Sequence, residues 1–312
     1  MKNKRVVRSS VFASLQWRSK LSIGLFCLLI FWACEPKKPA VTTSSGVHTV
    51  TDDLGRKVTL PKQPRRVLAL APSMTEMLFA VADTASIVGR TQNCDYPAAA
   101  LTKPVVNNYP MDYERLLSLK PDVVFATDGI ISLEVAAQVQ KLGIPIYFQA
   151  YDSVTDILRG IRTLGQLLQR EEKANAVADS LQRIINQLAT DTARAARPTV
   201  LAITWKDPIY VYGRNTLFTD KLRYAGGKNA LTEIFAQPYP ALTREYILKM
   251  DPEVIIGGSF EQMEKTFFSL YPELRRIKAY KQKRIYEVTD DLMSRPSPRV
   301  VEGIAELKAV LR

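Results

Sequence analysis

With one histidine and three cysteines, this 312-residue chain has few ways to do covalent chemistry. It contains no G-x-S-x-G elbow, no G-x-x-x-x-G-K-[ST] phosphate loop, no G-x-G-x-x-G and no H-E-x-x-H. His48 falls in a polar stretch that reads as a tether, which leaves the fold without a His-based triad or a multi-His zinc site. No catalytic residue and no metal site are therefore expected. Aromatic residues gather instead at strand ends and in loops: Tyr96, Tyr109, Tyr113, Trp205, Tyr210, Tyr212 and Tyr239. Tyr and Trp supply wide, flat, partly polar surface at little entropic cost, which suits a broad ring-shaped ligand. Any one of them could simply pack; as a group they favour a binding cleft.

The elements that must position these residues alternate in type. Arg66–Leu70, Asp122–Ala126 and Ile144–Phe148 read as buried strands, and Met74–Ala82 and Leu133–Leu142 as helices. The alternation resumes with strands at Thr199–Ile203, Val254–Ile256 and Arg284–Val288, and ends in a helix from Arg299 to Leu311. Such order marks mostly parallel sheets covered by helices. Between the halves, Ser153–Ala189 has no Pro and keeps helical apolar spacing through Ile157, Ile161, Leu164, Leu168, Val177, Leu181 and Leu188. This span predicts one long connecting helix of roughly 50 Å. A strut of that kind resists wide hinge bending, so lobe motion should be small. The expected organisation is a leader (1–33), a tether (34–48), an N-terminal α/β lobe (49–152), a connecting helix (153–190) and a C-terminal α/β lobe (191–312).

One motif appears in both halves. Glu114 opens a short helical run that stops at Pro121, followed by Asp122 and a strand; Glu245 does the same before Pro252, Glu253 and a strand. The repetition predicts two lobes related by an approximate two-fold axis.

The formal charge of +12 does not imply nucleic acid. Residues 1–33 carry six basic and no acidic residues, and without them the charge falls to +6, spread thinly along the chain. Those residues form an export signal: a basic stretch to Lys20, then the apolar run Leu21–Ala33. Thirteen helical residues span about 20 Å, short of a hydrocarbon core of about 30 Å. The run ends in Phe31-Trp32-Ala33-Cys34, similar to a bacterial lipobox, which makes Cys34 the lipidation site. An uncleaved N-terminal anchor is the alternative. Cys27 leaves with the leader, so Cys94 stands alone and no internal disulfide forms; it is expected to be a small packed residue.

In order along the chain stand Asp53-Leu-Gly-Arg56, Arg65-Arg-Val67, Ala71-Pro-Ser-Met-Thr-Glu76, Cys94-Asp-Tyr-Pro97, Ala225-Gly-Gly-Lys-Asn229 and Asp290 through Gly303. With the two glutamate motifs, they resemble the class III periplasmic substrate-binding proteins of ABC transporters, and most nearly the cobalamin-binding BtuF-like subfamily. The resemblance implies two Rossmann-like α/β lobes with parallel-rich sheets bridged by one long α-helix. It implies a monomeric lipoprotein on the periplasmic side of the envelope, with no enzymatic activity and no covalent cofactor beyond the lipid on Cys34. Its ligand would be a metal chelate, cobalamin first, with haem or a ferric siderophore as alternatives; an envelope enzyme or sensor on the same fold is the more distant one. Pro72, Tyr96, Tyr109, Trp205, Tyr212 and Arg295 would face the ligand. Glu114 and Glu245 would dock on arginines of the permease dimer, which works with its ATPase. The chain departs from the family at Asn107–Met111, where a glycine-bearing loop is usual, and at Ser297, where Arg-Pro-Gly-Pro-Arg is usual. Both changes bear on ligand identity.

Overall fold

The computed structural model describes residues 46–190 and 197–312. The leader, Cys34 and most of the tether lie outside the described residues. The first element is a hairpin of β1 (Val47–Thr51) and β2 (Lys57–Pro61). Its turn is closed by Asp52, whose carboxylate accepts from the backbone N–H groups of Leu54 and Arg56 and pairs with the Arg56 guanidinium at 2.7 Å. Strand β1 takes in the last two residues read as tether, so His48 belongs to the fold, opposite Leu60. Pairing with β2 outweighs the polar character of that stretch.

The first lobe contains β3 (Val67–Ala69), α1 (Pro72–Val81), β4 (Ile87–Gly89), α2 (Tyr113–Ser118), β5 (Val123–Thr127), α3 (Leu133–Lys141) and β6 (Ile146–Gln149). Its four strands run parallel in the order β4-β3-β5-β6. Both faces are covered, so β3, β5 and β6 are buried throughout. Successive side chains alternate between two cores: Val67, Ala69, Val123 and Phe125 face one, Leu68, Val124, Ala126 and Phe148 the other.

Two helices follow, α4 (Val154–Leu167) and α5 (Glu171–Thr190). The single helix expected over 153–190 is thus a hairpin. Arg162 pairs with Asp179 at 2.6 Å across it, and Gly165 faces Ala174 so closely that an added Cβ would collide. The break is a Schellman turn: the Arg170 N–H donates to the Gly165 carbonyl and the Gln169 N–H to that of Gln166. Gln169 takes the left-handed position, φ 54°, where glycine is usual, so the sequence carries no stop signal. Helix α4 begins with a Ser153–Asp156 capping box, and its Val154 N–H donates to Asp220 of the second lobe. Helix α5 is the bridge proper. Near its start Lys173 donates to the Ala82 carbonyl in the first lobe, and near its end Lys308 of the second lobe donates to the Leu188 carbonyl.

The second lobe runs β7 (Thr199–Lys206), β8 (Ile209–Val211), α6 (Leu217–Tyr224), β9 (Lys228–Asn229), β10 (Ala241–Leu242), α7 (Arg244–Met250), β11 (Val254–Ile256), α8 (Phe260–Leu270), α9 (Lys278–Lys281), β12 (Ile285–Tyr286), α10 (Asp290–Ser294) and α11 (Val300–Leu311). Strands β9, β7, β11 and β12 are parallel, while β8 and β10 add an antiparallel edge. Alternation recurs: Val200, Ala202, Val254 and Ile256 join the core that holds Val67 and Phe125, while Leu201, Ile203 and Ile255 form a separate outer core. One apolar core therefore runs from the inner face of one sheet, through α4 and α5, to the inner face of the other.

Candidate functional site

The repeated motif has a structural meaning. Helices α2 and α7 are each capped by a side chain at the residue before them, Asp112 accepting from the Arg115 N–H and Thr243 from the Tyr246 N–H. Each stops on a residue with positive φ just before its Pro, Lys120 at 45° and Asp251 at 47°. The acid after each Pro then caps the neighbouring strand's entry: Asp122 accepts from the N–H groups of Arg65 and Arg66, Glu253 from that of Thr199. Glu114 and Glu245 occupy the second position of their helices, exposed, on the outer side of each lobe. Leu116 and Ile247 anchor those helices in the two outer cores.

The ligand-facing candidates lie at strand ends, on the loops between elements and at helix termini. Pro72 is the first residue of α1, directly beyond β3. Tyr109 is 89% exposed, on a loop tied to the end of β3 by Asn108, whose amide donates to the Leu70 carbonyl at 3.0 Å. Gln92 holds the same Asn108 at 2.8 Å. Tyr96, 43% exposed, lies beneath the Arg299 guanidinium, 4.3 Å from its ring centre. Trp205, 63% exposed, pairs across the β7–β8 hairpin with Tyr210 and donates its indole N–H to the Asp207 carbonyl.

Two candidates are more engaged than the sequence suggests. Tyr212 stacks on Phe218 at 4.4 Å and meets Tyr239 edge-on at 5.5 Å; burial raises its phenol well above the usual range. Only Tyr239 of that trio reaches far into solvent. Arg295 is not a free cation. It pairs with Glu76 at 3.1 Å, Asp95 at 3.2 Å and Asp291 at 2.9 Å. Arg299 is likewise paired, with Glu302 at 3.2 Å. The structure thus joins Arg295, Arg299 and Tyr96 at one rim, and places Trp205, Tyr210, Tyr212 and Tyr239 around the β7–β8 hairpin.

Sequence reasoning missed the groups behind that rim. Glu76 is nearly buried on α1, and its second carboxylate oxygen has no partner. Lys221 is wholly buried and donates to the carbonyls of Leu292 (2.8 Å), Met293 (3.1 Å) and Arg295 (3.0 Å). Burial pushes its ammonium down to about 7, with the Glu76 charge pulling the other way. A lone acid inside the apolar run of α1 was a readable signal for Glu76; the sequence around Lys221 carried none. Cys94 is buried as expected and contacts the hydroxyls of Thr75 and Thr91. Among the described residues no group of three or more His, Cys, Asp or Glu could hold a metal ion, and no helix is long and apolar enough to cross a membrane.

Two α/β lobes sharing one core, with aromatic loops beyond their parallel strands and a helix running from one to the other, define a ligand-capturing receptor. The chain belongs to the periplasmic binding protein family, which matches residues 67–292. It is similar to the uncharacterized ABC transporter substrate-binding lipoprotein YvrC of Bacillus subtilis, 28% identical over 269 residues and 83% of each chain. It is 27% identical over 256 residues to the vitamin B12-binding protein of Yersinia pestis, covering 80% of this chain and 88% of that one. Its fold matches the crystal structure of the periplasmic vitamin B12-binding protein BtuF of Vibrio cholerae, with a TM-score of 0.70 at 22% identity over 80% and 98% of the two chains. The protein is a binding receptor and not an enzyme.

Proposed function

We propose that this chain is the extracytoplasmic substrate-binding protein of an ABC importer, that it captures a corrinoid such as cobalamin, and that it acts as a monomer held to the membrane by a lipid on Cys34. The observation that carries the choice of cargo is the pairing of exposed aromatics with neutralised cations. Tyr96, Tyr109, Trp205 and Tyr239 offer flat apolar surface beyond the strands. Arg295 and Arg299 are already bound to carboxylates. A haem propionate or an anionic siderophore seated on Arg295 or Arg299 would have to displace those partners, at the cost of leaving charges unpaired. A corrin ring edged with neutral amides makes no such demand. Pro72 and Tyr212 would frame this surface, Tyr212 through the ring of Tyr239 that it supports. Glu114 and Glu245 would meet arginines of the permease, fixing orientation through charge-assisted hydrogen bonds.

Trp205 reports binding directly, because the other two tryptophans, Trp17 and Trp32, lie in the leader. The purified protein is titrated with cyanocobalamin, haemin and ferric siderophores while tryptophan emission is followed. Cyanocobalamin should quench it saturably. Trp205→Ala and Tyr109→Ala, measured by calorimetry, should each weaken binding at least about thirtyfold, as loss of a central interface aromatic does. Saturable binding of haemin or a siderophore, with none of cyanocobalamin, refutes the corrinoid reading.

A further inference from the structure

The two lobes are joined covalently through α4 and α5; at their rims Arg299 covers the ring of Tyr96, and one side chain, Arg295, carries the ion pairs. Among the described residues, the ion pairs between residues 49–152 and 197–312 are those of Arg295 with Glu76 and Asp95. The contact is built from both sides. On the first lobe, Glu76 projects from α1 with its side chain 2% exposed, and Asp95 sits on the loop that also carries Tyr96. The Asn93 carbonyl adds a long contact at 3.5 Å. On the second lobe, Asp291 grips the same guanidinium one helical turn back. Behind it, Lys221 gathers the carbonyls of Leu292, Met293 and Arg295, so the segment that presents Arg295 is pinned to α6.

We propose that Arg295 is a latch that fixes the spacing of the two lobe rims before cargo arrives, and that Glu76, Asp95 and Lys221 are positioning residues acting through it. The geometry supports this in three ways. The guanidinium is only 14% exposed and its fork is divided between lobes, so the lobes cannot separate at this edge without breaking both pairs. Separation would strand Glu76, a nearly buried carboxylate with one oxygen already unpartnered, without its counter-ion. The latch also sets Tyr96, because Arg299, four residues on from Arg295, covers its ring. A rim held at one spacing is preorganised: cargo meets aromatic surfaces already in place and does not have to draw them together. Without the latch, only a fraction of molecules has that spacing at any moment. Apparent affinity falls by that fraction, so a tenth-populated competent arrangement gives about a tenfold loss.

The consequence for affinity rests on the receptor reading above; the latch itself is tested without any cargo. Nitroxide labels are placed at the exposed positions Leu101 and Leu270, one per lobe, by Leu101→Cys and Leu270→Cys in the full chain with Cys27→Ser, Cys34→Ser and Cys94→Ser, in detergent micelles. Pulsed dipolar spectroscopy then reads the lobe-to-lobe distance of the unliganded protein. The parent should give one narrow distribution. Arg295→Gln and Glu76→Gln should broaden it toward longer distances, and Arg295→Lys, which keeps the charge and loses the fork, should fall between. Asp95→Asn, at an exposed position, should fold whatever the others do, and should shift the distribution the same way by less. Stopped-flow with cyanocobalamin should place the loss of about tenfold in the apparent association rate, because only the competent fraction accepts cargo at any moment. Unchanged distance distributions in Asp95→Asn and in whichever buried variants fold overturn the latch, even if affinity falls, because Arg295 would then be touching cargo directly. If distances broaden but cyanocobalamin does not bind the parent, the choice of cargo fails and the latch stands.

Discussion

Replacing Lys221 with Met should change how stability depends on pH, by an amount the structure sets. The ammonium is fully buried, faces three carbonyls and has no carboxylate within hydrogen-bond reach. Its folded pKa is about 7, against an ordinary value of 10.5. Between these values the unfolded chain binds one more proton than the folded chain, so stability rises with pH. The cost of burying the charge is present in full below about pH 7 and is relieved as pH climbs toward 10.5. The slope is about 1.4 kcal/mol per pH unit, which amounts to roughly 2–3 kcal/mol between pH 7.5 and 9.5. Lys221→Met strands the three carbonyls, a fixed loss, and removes the slope. Buried tyrosines act oppositely: Tyr147 is pushed up to about 12 and Tyr151 higher than normal, so they weaken the fold as unfolded phenols ionise near pH 10. They are common to both proteins and cancel in the difference. Urea unfolding at pH 6.5, 7.5, 8.5 and 9.5 measures it. Wild type should gain roughly 2–3 kcal/mol on the variant between pH 7.5 and 9.5. A constant difference would mean that the three carbonyls keep Lys221 charged, and the burial argument would be refuted.

Gly165→Leu places a side chain where Ala174 already stands, so thermal unfolding should show a loss of about 2 kcal/mol despite leucine's better helix propensity; an unchanged midpoint would mean α4 and α5 separate freely. The double variant Glu114→Lys/Glu245→Lys should abolish uptake in vesicles reconstituted with the permease and leave cargo affinity unchanged, with each single variant partial; normal uptake would reduce these glutamates to helix-start residues. Cys34→Ser should lose lipid labelling and partition into the aqueous phase; retention at the membrane would favour an uncleaved anchor.

Much of the architecture was legible in the chain. Buried strands such as Val123–Thr127 and Val254–Ile256 appear as short apolar runs because both faces of their sheets are covered. The echo around Glu114 and Glu245 was legible because cap, stop and strand-entry acid are local devices, each within a few residues of the element it serves. The rest depended on partners distant in sequence. The turn at Gln169 carries neither Gly nor Pro, and it forms because Gly165 and Ala174 let two helices close on each other. His48 joined the fold through its pairing with Leu60. Arg295 was expected to face the ligand, and its pairing with Glu76 and Asp95 was not legible because they lie about 200 residues earlier. Periodicity and capping are properties of contiguous backbone, so sequence alone determines them. Whether a charge is free or neutralised depends on which side chains packing brings within about 3 Å, and only the assembled lobes decide that.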